Sequence, residues 1–410
     1  MGRFWRNLGW LLGSRGVNAV FSLVYLALAT RKLGLADFGR FSLIVVMAQA
    51  IAGFAGFYSW QAVVRWGRLD GEAPRAVGFA LALDLISIPV GGALAVITVW
   101  TAPSWLPLPA ELRSTALGLC LAALVATRST PTGLLRLNDR YDLATFAEAI
   151  LPAMRAAGAI AAALACPTIA GFVAAWAAAE LGCAAAYWTL AHRVQPISRR
   201  HVSLTDLPAR HDRVWRFVVA TNLSRTLAVS SKQLLVLLVG ALGGAAMAGG
   251  FRAASQLGQA LVQLGEAVSR AIYPELVRAQ QSAAVLARKM SRITLAAGTC
   301  SVLLAALAGG AVLQIIAGPE FAFAHGALLI LSVTGAVELI GASWDALLVA
   351  QGRPGLPLLL RAAPLAAGFL LLPSAIAAYG LAGAATCALL ASVCAVGAMT
   401  YAARSLPQTR

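Results

Sequence analysis

The chain has 410 residues, 60% of them hydrophobic and 12% charged, with a mean hydropathy of +0.79 and a net charge of +16 from 32 Lys and Arg against 16 Asp and Glu. Soluble proteins carry about 25% charged residues, so these figures exclude a soluble enzyme, a disordered chain and a secreted disulfide scaffold. A crossing helix takes about 20 apolar residues, which leaves room for roughly 13 crossings and almost nothing else.

The N-terminal run MGRFWRNLGWLLGSRG starts like a secretory signal, but Arg15 interrupts it and no small-residue cleavage site follows, so a retained first helix is expected. Apolar runs bounded by Arg, Pro and Gly clusters then predict twelve membrane helices. They lie near 8–30, 41–64, 76–100, 114–135, 145–166, 169–190, 214–240, 247–274, 291–317, 324–350, 356–378 and 380–402. With the N-terminus inside, twenty Lys and Arg fall in inside segments and four (Arg31, Lys32, Arg40 and Arg113) in outside turns. That asymmetry satisfies the positive-inside rule and predicts both termini in the cytoplasm. The longest polar stretch, 191–213, is basic and sits at the midpoint. It reads as a cytoplasmic linker, suited to anionic lipid headgroups, between lobes of six helices each at 1–200 and 201–410.

The two halves repeat. Trp5-Arg6 matches Trp215-Arg216, Ser14-Arg15 matches Ser224-Arg225, Gly39 and Phe41 match Gly249 and Phe251, and Gln49 matches Gln259, all 210 residues apart. Leu33-Gly34 matches Leu242-Gly243 at 209. Six helices per half make the halves enter the membrane in the same direction, as in parallel-repeat transporters that work by alternating access in a cleft. The predicted fold class is therefore an all-α membrane protein of about twelve helices in two lobes related by a parallel pseudo-two-fold repeat.

Eight cations fall inside helices: Arg15, Arg128, Arg155, Arg225, Lys232, Arg252, Arg270 and Arg361. Each costs about 2.5–3.5 kcal/mol at a helix centre, so each needs a reason. Arg128, Arg155 and Arg361 are placed to snorkel to an interface. Arg15, with Asn18 one turn on, and Arg225, followed by Lys232, form polar faces on repeat-related helices. Arg252, Gln256, Gln259, Gln263, Glu266 and Arg270 recur at spacings of 4, 3, 4, 3 and 4, one stripe along the eighth helix. Such a stripe either bonds a neighbouring helix or walls a cavity, and its full length favours the wall. The intramembrane acids are Asp84, Glu148, Glu180, Glu266, Glu338 and Asp345. Glu266 can pair with Arg270, and Glu338 and Asp345 share a face. Glu266, Glu338 and Asp345 are candidates for coupling a proton or Na⁺, or they neutralise arginines. A cavity with excess cations suits an anionic cargo such as a phosphate, which Arg holds bidentately. The six cysteines and four histidines have no metal-ligand spacing, so no metal, cofactor or catalytic residue is expected.

Three sets of residues carry a family resemblance. Thr30–Ser42 (TRKLGLADFGRFS) resembles a turn of bacterial polysaccharide flippases. The segments WRFVVATNLSRTL, KQLLVLLVGALGGAAMAGGFRAASQLGQAL and SRAIYPEL of 215–275, and Gly318-Pro319-Glu320-Phe321, are similar to the same family. The family is that of the Wzx-like O-antigen and polysaccharide flippases, within the multidrug/oligosaccharidyl-lipid/polysaccharide exporter superfamily. The resemblance implies movement of an undecaprenyl-pyrophosphate-linked oligosaccharide from the cytoplasmic to the periplasmic leaflet of the bacterial inner membrane, for O-antigen or exopolysaccharide synthesis. It implies a cationic, alternating-access cavity, membrane lipids and pathway polymerases and glycosyltransferases as partners, and no nucleic acid. The shortness of the chain points away from the lipid II flippase branch. On this reading Arg15, Arg225, Lys232 and Arg252 hold the pyrophosphate, Gln256, Gln259 and Gln263 bond sugar hydroxyls, and Asn18 and Arg270 belong to the same substrate-binding set. A cation-coupled multidrug exporter fits less well because its cargo is cationic. A membrane-embedded polymerase or ligase lacks the large outside loop it needs, the longest here being 101–113.

Overall fold

A computed structural model describes residues 2–197, 199–278, 283–350 and 355–405. Side chains at 2–19, 224–225, 228–229, 261–294 and 345–350, and at a few further positions, fall outside the description. Among the described residues there is no strand. The helices are α1 (Gly2–Ala55), α2 (Trp60–Gly67), α3 (Ala73–Trp105), α4 (Arg113–Val125), α5 (Ser129–Leu137) and α6 (Tyr141–Ala165). They continue as α7 (Ile169–Val194), α8 (Asp206–Arg210), α9 (Val214–Arg278), α10 (Ala283–Ala317), α11 (His325–Ala350) and α12 (Gly355–Ser405).

The three longest helices are each broken at one glycine: α1 at Gly34 (φ 72°, ψ 176°), α9 at Gly244 (φ 83°, ψ 177°) and α12 at Gly380 (φ 55°, ψ −133°). Such angles are open essentially to glycine alone. Nine described stretches are long and apolar enough to cross a membrane, and three of them contain one of these glycines. Counted apart at these glycines, the described runs number twelve, in the order expected. Their outward faces are apolar: Leu164, Leu307 and Leu370 are each more than 80% exposed. In an ordinary aqueous protein such leucines would be costly to leave in contact with water, and in lipid they are at home.

The repeat is visible in the backbone. Gly34 and Gly244 are 210 residues apart and share the same dihedrals, which corrects the register at this point from 209 to 210 and pairs Gly34 with Gly244, not Gly243. A contact repeats too. A Cβ on Gly39 would lie 1.8 Å from the Ala245 carbonyl oxygen, and a Cβ on Gly249 would lie 2.8 Å from that of Leu35. Ala245 is Leu35 shifted by 210, and Gly249 is Gly39 shifted by 210. Each contact is thus the image of the other, the signature of a pseudo-two-fold axis at a close crossing of small residues.

The contacts divide the chain into two compact units, 40–241 and 1–39 with 242–410. This differs from the sequential division at 200. The first crossing of each half is exchanged, because its bonds run to the other half. Arg31 donates to the Ile315 carbonyl, Thr30 Oγ1 lies 3.5 Å from that of Ile316, and the Phe38 ring meets Phe321 edge-on at 5.8 Å. In the other unit Thr226 Oγ1 donates to the Gly53 carbonyl at 3.2 Å, and the amides of Gln233 and Gln49 meet at 3.4 Å.

Within 40–241 the core joins Val63 of α2, Val77 and Ala80 of α3, Leu134 and Leu135 of α5, Ala147 of α6 and Cys183 and Tyr187 of α7. A second cluster packs Trp66, Phe79 and Leu83 against Leu207, Val214 and Val218. The basic linker is thereby docked: Leu207 is buried, and the His201 carbonyl sits where a Cβ on Gly78 would be. Three segments expected on the inside meet at this end. Arg68 pairs with Asp139 at 3.7 Å, Arg210 with Glu72 at 3.6 Å, and Asn138 Nδ2 donates to Gln195 Oε1 at 3.0 Å.

Candidate functional site

Two crossings of unit 40–241 are interrupted. Helix α1 stops at Ala55 and the chain restarts as α2 at Trp60; α4 stops at Val125 and restarts as α5 at Ser129. The sequence supplies the breaks: Gly56 in the first, and Thr127 to Pro131 in the second, where Pro131 in the first turn of α5 has no N–H to lose. Interrupted helices leave backbone groups that lipid cannot satisfy. Here the buried Asp84 of α3 satisfies them. Its carboxylate accepts from Thr130 N at 3.0 Å, Thr130 Oγ1 at 2.7 Å and Ser59 Oγ at 3.3 Å. The hydroxyls of Ser59 and Ser129 lie 2.9 Å apart, and Trp60 N donates to Ser129 Oγ at 3.0 Å. One carboxylate thus holds both breaks in register.

The breaks open onto a cavity of about 500 Å³, within the usual range for ligand pockets. On its wall Arg128 Nη2 pairs with Glu180 Oε2 at 3.0 Å, and Arg155 pairs with Glu180 Oε1. Arg128 Nη1 also meets Cys183 Sγ at 3.0 Å, and the Arg155 guanidinium stacks 3.7 Å from the Trp176 ring centre. Two cations on one carboxylate keep a positive balance while each stays bonded. Gln49, Gln233, Tyr58 and Trp60 complete the polar and aromatic lining.

This site corrects the reading of Arg128 and Arg155 as snorkelling residues. Both are largely buried, with 29% and 21% of the side chain exposed, and both turn inward to Glu180. Arg361 also faces a helix: its Nη2 lies 3.9 Å from where a Cβ on Gly341 of α11 would be. One turn away, Glu338 accepts from Ser392 Oγ at 3.4 Å. Of the stripe on α9, Arg252 and Gln256 are half-buried and Gln259 is exposed, while Phe251, Ala253, Ala254 and Leu257 between them are buried. The polar face is the open one, and Gln259 Nε2 donates to Ser255 Oγ at 3.1 Å. Lys232 is exposed. The side chains of Arg15, Asn18, Arg225, Gln263, Glu266, Arg270 and Asp345 lie outside the described residues. Asp84, Ser59, Thr130, Gln49 and Gln233 escaped the sequence reading as site residues. Their signal was the two polar, Gly- or Pro-containing interruptions inside otherwise apolar runs.

Residues 28–316 match the model of a family described as polysaccharide biosynthesis protein. The chain belongs to that family. It is 30% identical over 296 residues to the inner membrane protein YghQ of Escherichia coli (strain K12), a match covering 67% of this chain and 80% of that one. Its fold resembles the lipid II flippase MurJ in an inward closed conformation, with a TM-score of 0.75 at 11% identity over 97% of this chain and 88% of that one. It also resembles the MATE multidrug transporter DinF-BH solved with R6G, with a TM-score of 0.68 at 15% identity over 98% and 95%. At these identities the likeness is one of fold. The chain is thus a multi-span helical membrane protein of that family, and its fold also resembles that of a multidrug resistance MATE family transporter of the MOP superfamily, with a TM-score of 0.60 at 14% identity over 95% and 94%.

Proposed function

We propose that the protein flips an undecaprenyl-pyrophosphate-linked oligosaccharide from the cytoplasmic to the periplasmic leaflet of the bacterial inner membrane by alternating access. The family match across 28–316 carries the reading, and the inner-membrane name of the Escherichia coli relative supports the location. The pathway then supplies its partners, glycosyltransferases that build the cargo and a polymerase that consumes it. Both termini face the cytoplasm on this reading, which the distribution of Lys and Arg supports. The pyrophosphate is held by Arg15, Arg225, Lys232 and Arg252 and sugar hydroxyls by Gln256, Gln259 and Gln263, with Asn18 and Arg270 in the same substrate-binding set. Glu266, Glu338 and Asp345 are the groups through which a proton or Na⁺ drives the cycle.

Arg15→Ala and Arg225→Ala test the reading in the native host. Each abolishes surface polysaccharide and causes the lipid-linked oligosaccharide to accumulate, with protein in the membrane unchanged. Wild-type polysaccharide in both variants removes these residues from the site. The fold shared with DinF-BH favours a second reading, export of a cationic drug. A deletion strain that gains drug sensitivity but keeps its polysaccharide decides for it.

A further inference from the structure

The cavity at the two helix breaks differs in character from a pyrophosphate site. A pyrophosphate needs several cations able to turn to it, as in a phosphate-binding Arg or Lys cluster. Here the two arginines on the wall are both committed to Glu180, Arg128 at 3.0 Å and Arg155 at contact distance. The remaining groups are neutral and mixed. Gln49 and Gln233 bring amides, Ser129 and Thr132 hydroxyls, and Tyr58 and Trp60 aromatic rings.

One of these groups lacks a partner. Gln233 Oε1 is buried with no hydrogen-bond donor, and the same side chain makes only a long contact, 3.4 Å, from its Nε2 to Gln49 Oε1. A buried acceptor left unpaired costs about 1–3 kcal/mol, so a ligand that donates to it is rewarded. A sugar ring fits this combination. Its hydroxyls, or an acetamido N–H, donate to the amide oxygens and accept from the amide nitrogens and hydroxyls. Its C–H faces lie against aromatic rings. A cationic drug would meet the arginines, and a polyprenyl chain would strand the amides.

The site is also prepared in advance. Asp84 fixes Ser59 and Thr130, and through the Ser129 hydroxyl the backbone of Trp60. The helix breaks that place Tyr58, Trp60 and Ser129 are therefore ordered before any ligand arrives, which lowers the entropic cost of binding. The second half differs at the matching position: the repeat partner of Gln49 is Gln259, which is exposed and bonds Ser255 on its own helix.

We infer that the cavity lined by Gln49, Gln233, Tyr58, Trp60 and Arg128 is a subsite for a hexose or N-acetylhexosamine ring of the cargo, separate from the residues proposed for the pyrophosphate. The inference rests on the flippase reading. The test uses the full chain in nanodiscs and two probes, undecaprenyl pyrophosphate and the same carrier bearing one N-acetylglucosamine. Wild-type protein binds the glycosylated carrier about tenfold more tightly, a difference of about 1.4 kcal/mol. Gln49→Ala/Gln233→Ala brings the two affinities within twofold of each other and leaves that for the bare carrier unchanged. Gln233→Leu, closer in volume, keeps the test open should the double variant fail to fold. A tenfold preference that survives in the folded variants overturns the subsite. So does a wild-type protein that binds both carriers equally. Failure of wild type to bind either carrier overturns the flippase reading itself, and the subsite with it.

Discussion

The two halves of the duplication carry the same scaffold and different chemistry. Arg128 and Glu338 stand 210 residues apart, so the duplication places opposite charges at one position of the fold. In the first half Arg128 and Arg155 share Glu180, the crossings are broken at 56–59 and 126–128, and a cavity opens beside them. In the second half Glu338 bonds Ser392 near Arg361, and the matching stretches, 266–269 and 336–338, are helical within α9 and α11. By contrast, Gly34 matches Gly244 in both dihedrals, and Gly39 matches Gly249 in its close contact. The duplication has been kept where the backbone must turn or cross. It has diverged in the polar side chains at the helix breaks, where Arg128 of the first half is Glu338 in the second.

The crossing is where the likeness breaks most sharply under substitution. A Cβ on Gly39 would stand 1.8 Å from a backbone oxygen, and one on Gly249 at 2.8 Å. A backbone carbonyl cannot swing aside as a side-chain tip can, so the helices must part. Gly39→Ala is expected to cost about 3 kcal/mol and Gly249→Ala about 1 kcal/mol, the range of overpacking in a tight interior. Thermal unfolding of the detergent-purified variants measures the difference. Equal losses would mean that the two contacts are interchangeable and the crossing symmetric.

The two breaks should behave alike. Gly34→Ala and Gly244→Ala each force an L-residue into φ near 80° with ψ near 180°, at about 2 kcal/mol. Neither position is crowded. The nearest atom to a Cβ on Gly34 is Glu320 Oε1 at 3.8 Å, and nothing lies within 4 Å at Gly244. With sterics removed, only the backbone term remains, and it is the same twice. Losses that differ by more than about 1 kcal/mol would show that the two breaks are held by different surroundings.

Much of this was legible before the structure. The twelve crossings followed from composition and period, because lipid leaves few ways to satisfy a backbone and apolar runs of the right length mark them. The repeat showed in Trp5-Arg6, Ser14-Arg15 and Gly39, residues uncommon enough for matches 210 apart to stand out. The exchange of first crossings between units did not show, since chain order is silent on which helix a helix packs against. The site was legible only as scattered parts. Asp84, Glu180 and Arg128 were visible as charges in apolar runs. Their convergence depends on helix breaks whose partners lie up to 70 residues away, as between Ser59 and Ser129. A spacing rule that reads one helix at a time, like the one that found Arg252 to Arg270, cannot join them.

The smallest effects separate the polar clusters themselves. Glu180→Gln leaves Arg128 and Arg155 facing a neutral amide, whereas Glu338→Gln leaves a hydrogen bond from Ser392 intact in kind. Stranding cations in a full interior costs about 3–5 kcal/mol. Arg128 and Arg155 keep 29% and 21% of their side chains exposed, so water takes up part of the loss. About 1–2 kcal/mol is expected for Glu180→Gln, against about 0.5 kcal/mol for Glu338→Gln, the scale of a neutral hydrogen bond. The double variant Glu180→Gln/Arg128→Gln should recover much of the first loss, because it removes one of the two cations that Glu180 held. Unfolding of the four proteins, wild type included, reads this out. A loss at Glu338 as large as that at Glu180 would mean that the second half carries a charge cluster as tightly coupled as the first, and that the two sites have diverged in sign alone.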